Sequence, residues 1–317
     1  DLVRSRGLGD VYKRQAEAGL ILLTLLVGGM CAYIPAELPF LLPFVFNPII
    51  FLGCLLLGFW YQRGLRRRAE RPGPVRQGFF WLGLLGTWFV LQTHFEYLAQ
   101  HMFFLNRAQA LMLGMIAPFC AGISWPGAVL AAGAPGWVVA AARRLWRPLR
   151  PLTHPLAAMA VFLLSADIWL IPGVHFAAMI DPFLYGVMNL SCLAGGVLFW
   201  MVVLDPRPKP PCRFSYLARA GTGFFVMFPQ IAIGAYIALS GRDLFSFYEL
   251  CGRLFPSISS AHDQMLGGII EWIPSGMMNV AALIITLNAL RLAEMQVDAT
   301  IEAPKGAKIY EAKWTGR

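Results

Sequence analysis

Five histidines stand in the chain, at positions 94, 101, 154, 175 and 262. Neutral imidazole is the commonest metal ligand in proteins. Three of the five have a methionine close by. Met102 adjoins His101, Met179 follows His175, and Met265 follows His262. Imidazole with thioether is a ligand set suited to copper, above all Cu(I). The candidate metal ligands are therefore His94, His101, Met102, His175 and His262. Glu96, Asp263 and Gln264 are the neighbouring groups expected to orient them. A plainer use competes. Interfacial histidines also bond to headgroups, water or a neighbouring helix, and most of the 13 methionines must be packing. There is no HxxxH or HxH spacing. His94 and His101 are seven apart but flank a turn between two apolar stretches, so helical alignment does not join them.

The remaining polar groups inside apolar stretches are Arg107, Asp167, Asn189 and Glu271, with Gln230 and Asn279. Ionisable groups at membrane depth are costly and tend to mark function. Asp167 and Glu271 are placed to pair with Arg107; a structural ion pair and a proton or ion path both fit. Other chemistries are excluded. The six cysteines form no CxxC or CxxxC pair, which rules out a thiolate cage. No lysine lies in an apolar stretch, which rules out a retinal Schiff base. There are no paired carboxylates with a nearby base, no GxSxG and no phosphate loop. A non-enzymatic protein is expected.

The elements that must position these groups follow from composition. Of 317 residues, 58% are apolar and 14% charged, with a mean hydropathy of +0.60. Soluble domains carry about 45–50% apolar and about 25% charged residues. The surplus has to face lipid, and the fold class expected is an all-α, polytopic transmembrane bundle. Eight apolar stretches run over 18–36, 44–62, 78–98, 102–124, 154–172, 180–204, 218–240 and 266–290. A basic stretch before the first also fits a cleaved signal, which would leave seven. Residues 1–15 read as a non-native or disordered segment, 16–294 as the bundle and 295–317 as a cytoplasmic tail.

Charge gives the orientation. The net charge of +9 would suggest nucleic acid in a soluble protein. Here the positive-inside rule accounts for it, and no nucleic-acid partner is expected. Of the 26 Lys and Arg, all but Arg107, Arg242 and Arg253 fall on one side of an eight-span arrangement. That side is the cytoplasm, and both termini lie there. Segment 241–265 on the other side is amphipathic. It is expected to lie on the membrane surface or fold over the bundle mouth, bringing His262 to the start of the fourth span.

Three segments carry a resemblance: HMFFLNRAQALMLGMIAPF (101–119), THPLAAMAVFLLSADIWLIPGVHFAAMIDPFLYGVMNLSCLAGGVLFWMVVLDPRP (153–208) and CGRLFPSISSAHDQMLGGIIEWIPSGMM (251–278). GVLFW before DPRP and DQxxGGxxxWxP at the last stretch are the closest motifs. In their order, side and spacing they resemble the CtaG family of membrane proteins, which assist assembly of caa-type cytochrome c oxidase. The resemblance implies a bacterial inner-membrane helical protein with an oxidase subunit and the lipid bilayer as partners, and copper as its metal. His101, His154, Asp263, Gln264, Gly267, Gly268, Trp272 and Pro274 match the pattern. Asn106 and Ala110 stand where the fourth span usually carries histidines, and Asn189 lies near another such position. Neither Asn nor Ala replaces imidazole on copper. A copper or small-solute transporter and a metal-free scaffold therefore stay open beside copper delivery on the periplasmic side.

The charge bias makes a direct prediction. In a cysteine-free background, Arg66→Cys should react with an impermeant maleimide only after cells are opened. A cysteine in 241–265 should react in intact cells. Labelling of position 66 from outside would reverse the orientation.

Overall fold

The computed structural model describes residues 2–34, 37–43, 46–210 and 212–300. Every regular element among them is helical: α1 (Leu2–Tyr33), α2 (Pro48–Arg67), α3 (Pro74–Gln92), α4 (Phe95–His101), α5 (Phe103–Leu111), α6 (Ala117–Ser124), α7 (Gly127–Gly133), α8 (Gly136–Leu149), α9 (Pro155–Asp167), α10 (Pro172–Ile180), α11 (Pro182–Val203), α12 (Tyr216–Leu239), α13 (Phe247–Leu250) and α14 (Ser260–Thr300). Most of the tail expected at 295–317 lies outside the described residues. Short polar side chains set several starts. Asn47, Asp181 and Ser215 accept N–H bonds from the first turns of α2, α11 and α12, which satisfies donors the helix cannot pair itself.

Among the described residues, six helical segments are long and apolar enough to cross a membrane: Gln15–Tyr33, α2, Phe103–Ser124, α11, α12 and Ser260–Met295. The expected count was eight. The third stretch is α3, which has the length but starts with Arg76 and Gln77. The fifth is α9, whose 13 residues reach about 20 Å, short of the roughly 30 Å hydrocarbon core. The segment Gly136–Thr153 precedes Pro155–Leu170 at a bend of 99°, and the two pass together only as one broken span. The third stretch also ends early. The chain breaks at Thr93 and His94 before α4, so Glu96 and His101 belong to a separate short helix.

Phe103–Ser124 is α5 and α6 joined by a π turn over Met112–Ile116. Pro118 cannot donate to a carbonyl one turn back, and a widened turn accommodates the missing bond. The core is assembled around this span. Met115 packs with Phe162 of α9, Phe199, Trp200 and Val203 of α11, Val226 of α12 and Ala282 of α14. At one end of the bundle, the buried Arg219 donates to the carbonyls of Asp205 and Arg207. The Asp205 carboxylate accepts two side-chain bonds from Arg207, at 2.9 and 2.6 Å. Burial opposes the Asp205 charge, but the Arg207 bonds override it and hold the carboxyl below its usual range.

α12 and α14 pack along much of their length with their backbones in close approach. A Cβ on Gly234 would lie 2.7 Å from the Trp272 Cβ, and one on Gly268 would lie 2.7 Å from the Gly234 carbonyl oxygen. Small residues permit such backbone approach between membrane helices. Gly268→Val should therefore force α12 and α14 apart and cost about 1–3 kcal/mol by overpacking. Gly276→Ala, with nothing within 4 Å of its added methyl, should leave the melting temperature in mild detergent unchanged or slightly raised. Equal melting of both variants with the parent would disprove the tight crossing.

Candidate functional site

Asp263, in the first turn of α14, organises the non-arginine-rich end of the bundle. Its two carboxylate oxygens accept the backbone N–H of Phe103 at 3.1 Å and of Phe104 at 2.8 Å. α5 has no side-chain cap of its own. The carboxylate from α14 thus satisfies the open donors of α5 and sits at the positive end of its dipole. Arg253 donates to the same carboxylate at 3.0 Å. Gln264 works beside it. Its Oε1 accepts the Leu244 N–H at 2.8 Å, and its Nε2 donates to the carbonyls of Ile237 and Arg242.

These anchors lay segment 241–265 over the end of the bundle. Phe245 stacks on Phe103 with ring centroids 4.0 Å apart, and Tyr248 is fully buried. Behind them lies His175, also buried. His175 Nδ1 lies 3.0 Å from the Trp169 carbonyl oxygen, and Nε2 lies 2.9 Å from the Tyr248 hydroxyl. A carbonyl only accepts, so Nδ1 carries the proton and Nε2 accepts from Tyr248. Burial and the nearby Arg107 charge push the His175 pKa down to about 3, so the ring is neutral. A shallow pocket of about 220 Å³ opens here between Pro172, Phe176, Phe245 and Phe247.

The network continues inward. The Tyr248 hydroxyl lies 3.8 Å from the Met179 sulfur, and Asn106 Nδ2 donates to that sulfur at 3.7 Å. Arg107 donates to the Asn106 oxygen and pairs with Glu271 at 3.8 Å. Below it, a narrow cavity lined by Arg107, Met115, Cys192, Gln230, Glu271 and Ser275 has a volume of about 20 Å³, room for about one water. Glu271 is the Arg107 partner anticipated by charge. Asp167 lies within the electrostatic reach of both but has a buried Oδ1 without a hydrogen-bond partner. Asn189 is buried on α11 near Tyr185, whose hydroxyl donates to Gln109.

The five candidate ligands do not converge. His94 stacks on Phe40, with ring centroids 5.7 Å apart, and its Nδ1 meets the Phe40 carbonyl. His101 turns back onto the Tyr97 carbonyl of its own helix. Met102 is fully buried in the extended residue between α4 and α5. His262 is exposed and bonds Ser259, while its neighbour Asp263 reaches α5 instead. Burial pushes the Glu96 carboxyl up to about 8, so at neutral pH it is mainly protonated and does not serve as an anionic partner. Among the described residues no three His, Cys, Asp or Glu could hold one metal ion. The end of the bundle does not fit a histidine copper site. Sequence reading noted Met179 only as a methionine near His175 and missed Tyr248. The three-residue spacing of Phe245 and Tyr248 within an amphipathic segment was the signal available for it.

A family model described as cytochrome c oxidase caa3 assembly factor (Caa3_CtaG) matches residues 59–291. No curated protein and no solved structure matches the chain.

The His175 bonds predict a stability effect. Tyr248→Phe leaves the buried Nε2 without a donor and should cost about 1–3 kcal/mol. Thermal melting of the purified protein in mild detergent measures it. An unchanged melting temperature would show that the His175–Tyr248 bond does not hold segment 241–265 in place.

Proposed function

The chain belongs to the cytochrome c oxidase caa3 assembly factor family, and from this we propose that it acts as a non-catalytic scaffold during assembly of such an oxidase. Its place is the bacterial inner membrane, with the end built by Asp263 and Tyr248 facing the periplasm. There it holds an oxidase subunit while that subunit matures. One observation carries the scaffold reading over copper binding at the mouth: both ring nitrogens of His175 are engaged by Trp169 and Tyr248. A lone pair already accepting a proton is not available to a metal. The contact surface is the outer segment itself, where Leu250 and Phe255 remain exposed.

A second reading keeps copper as cargo. Met115 and Cys192 line the same narrow cavity, and sulfur ligands suit Cu(I). The Arg107 charge beside them opposes a bound cation.

Two measurements separate these readings. On the scaffold reading, Leu250→Ser with Phe255→Ser should lower oxidase activity and subunit co-purification several-fold at unchanged protein level. The purified parent, loaded with Cu(I) and washed, should retain far less than one ion per chain. Stoichiometric copper that is lost in Met115→Leu with Cys192→Ser would give the second reading first place.

A further inference from the structure

α8 is the one long helix among the described elements in which no residue is buried. Its sequence is GWVVAAARRLWRPL, followed by Arg150. At 100° per residue, Val138, Ala141, Leu145 and Leu149 fall on one face, with Trp137 and Trp146 at its two edges. Arg143, Arg144, Arg147 and Arg150 fall on the opposite face. The apolar face is not packed on the protein. Trp137 is 75% exposed and Leu145 70%. In water a contiguous face of this kind would be an unmet cost.

Two geometric facts say what covers it. α8 is 14 residues long, about 21 Å, too short to span the bilayer. The segment that contains it meets Pro155–Leu170 at 99°, and α9 packs against the membrane-spanning α11 and α12. The segment carrying α8 thus turns nearly at right angles away from α9 and the spans that α9 packs on. Its position agrees. Arg67, at the basic end of α2, donates to the Ala132 carbonyl just before α8, so α8 lies at the arginine-rich end.

We infer that α8 is an interfacial anchor, with its apolar face in the acyl-chain boundary and its four arginines binding anionic phospholipid headgroups of that leaflet. Trp137 and Trp146 suit the level between headgroup and chain, where amphipathic rings collect. Basic residues near an anionic surface each add attraction that falls off within a Debye length. The helix therefore fixes the depth and tilt of the bundle, and gives it a preference for acidic lipid.

The test uses the full chain in nanodiscs of phosphatidylcholine alone or mixed with phosphatidylglycerol, with either lipid brominated on its acyl chains. The quenching lost in Trp137→Phe with Trp146→Phe isolates the α8 signal. That signal should be quenched by brominated chains and shielded from aqueous iodide. Brominated phosphatidylglycerol should quench it more than its share of the mixture. Replacing Arg143, Arg144, Arg147 and Arg150 with Gln should weaken that preference by about tenfold or more, whereas Lys at all four should keep it. All six substituted side chains are exposed, and an unchanged melting temperature in detergent confirms the fold. Iodide quenching with no bromolipid quenching would overturn the proposal and leave the face for a protein partner. A phosphatidylglycerol preference that survives the Gln variant would overturn the headgroup assignment.

Discussion

One carboxylate ties together the three parts of the chain that meet at the covered end of the bundle. Asp263 belongs to α14, caps α5 by its two N–H bonds, and takes the guanidinium of Arg253 from the covering segment. Each partner solves a different problem. α5 starts immediately after α4, with no residue at its start able to cap it, so its donors need an acceptor from elsewhere. A buried carboxylate needs compensation, which the α5 dipole and Arg253 supply. The covering segment needs a fixed point between α12 and α14, which Arg253 and the Gln264 amide provide. Removing the carboxylate would release all three at once, and the Phe103–Phe245 stack depends on their alignment.

The same rule of internal satisfaction runs deeper. Arg107 is almost wholly buried in an apolar span, where an isolated charge is expensive. Glu271 supplies the opposite charge and Asn106 a neutral acceptor. The Asn at 106, which cannot replace an imidazole on copper, is well suited to this place, because its oxygen faces Arg107 while its amide donates to Met179. Asn106 thus belongs to a polar chain that links the ion pair to Tyr248 and His175. In this chain the position serves charge compensation.

Much of the fold was legible because lipid imposes a length and a composition on each span. The stretches around 44–62, 180–204 and 218–240 became α2, α11 and α12 with caps at Asn47, Asp181 and Ser215. What periodicity could not show was where an apolar run bends. The 154–172 stretch is a short helix turned by 99° from its predecessor, and 78–98 breaks at Thr93, because hydropathy records composition and not direction. The site was legible in its members but not in its bonds. His175, Asp263, Gln264, Arg107 and Glu271 all stand where polar groups meet. Which imidazole nitrogen faces which partner depends on the path of 241–265, and a segment of mixed polarity does not specify that path in advance.

The arginines show how the two ends of the bundle divide their work. Two of the three at the Asp263 end are paired within the fold, Arg107 with Glu271 and Arg253 with Asp263, while Arg242 is exposed. The two paired charges are neutralised within the protein, so they add little to the field outside it. At the other end Arg143, Arg144, Arg147 and Arg150 stand exposed along α8, where their charge remains available to the leaflet. The charge difference between the two ends is therefore larger in effect than in number, because two of the three arginines at the Asp263 end stand where a buried carboxylate needed a partner.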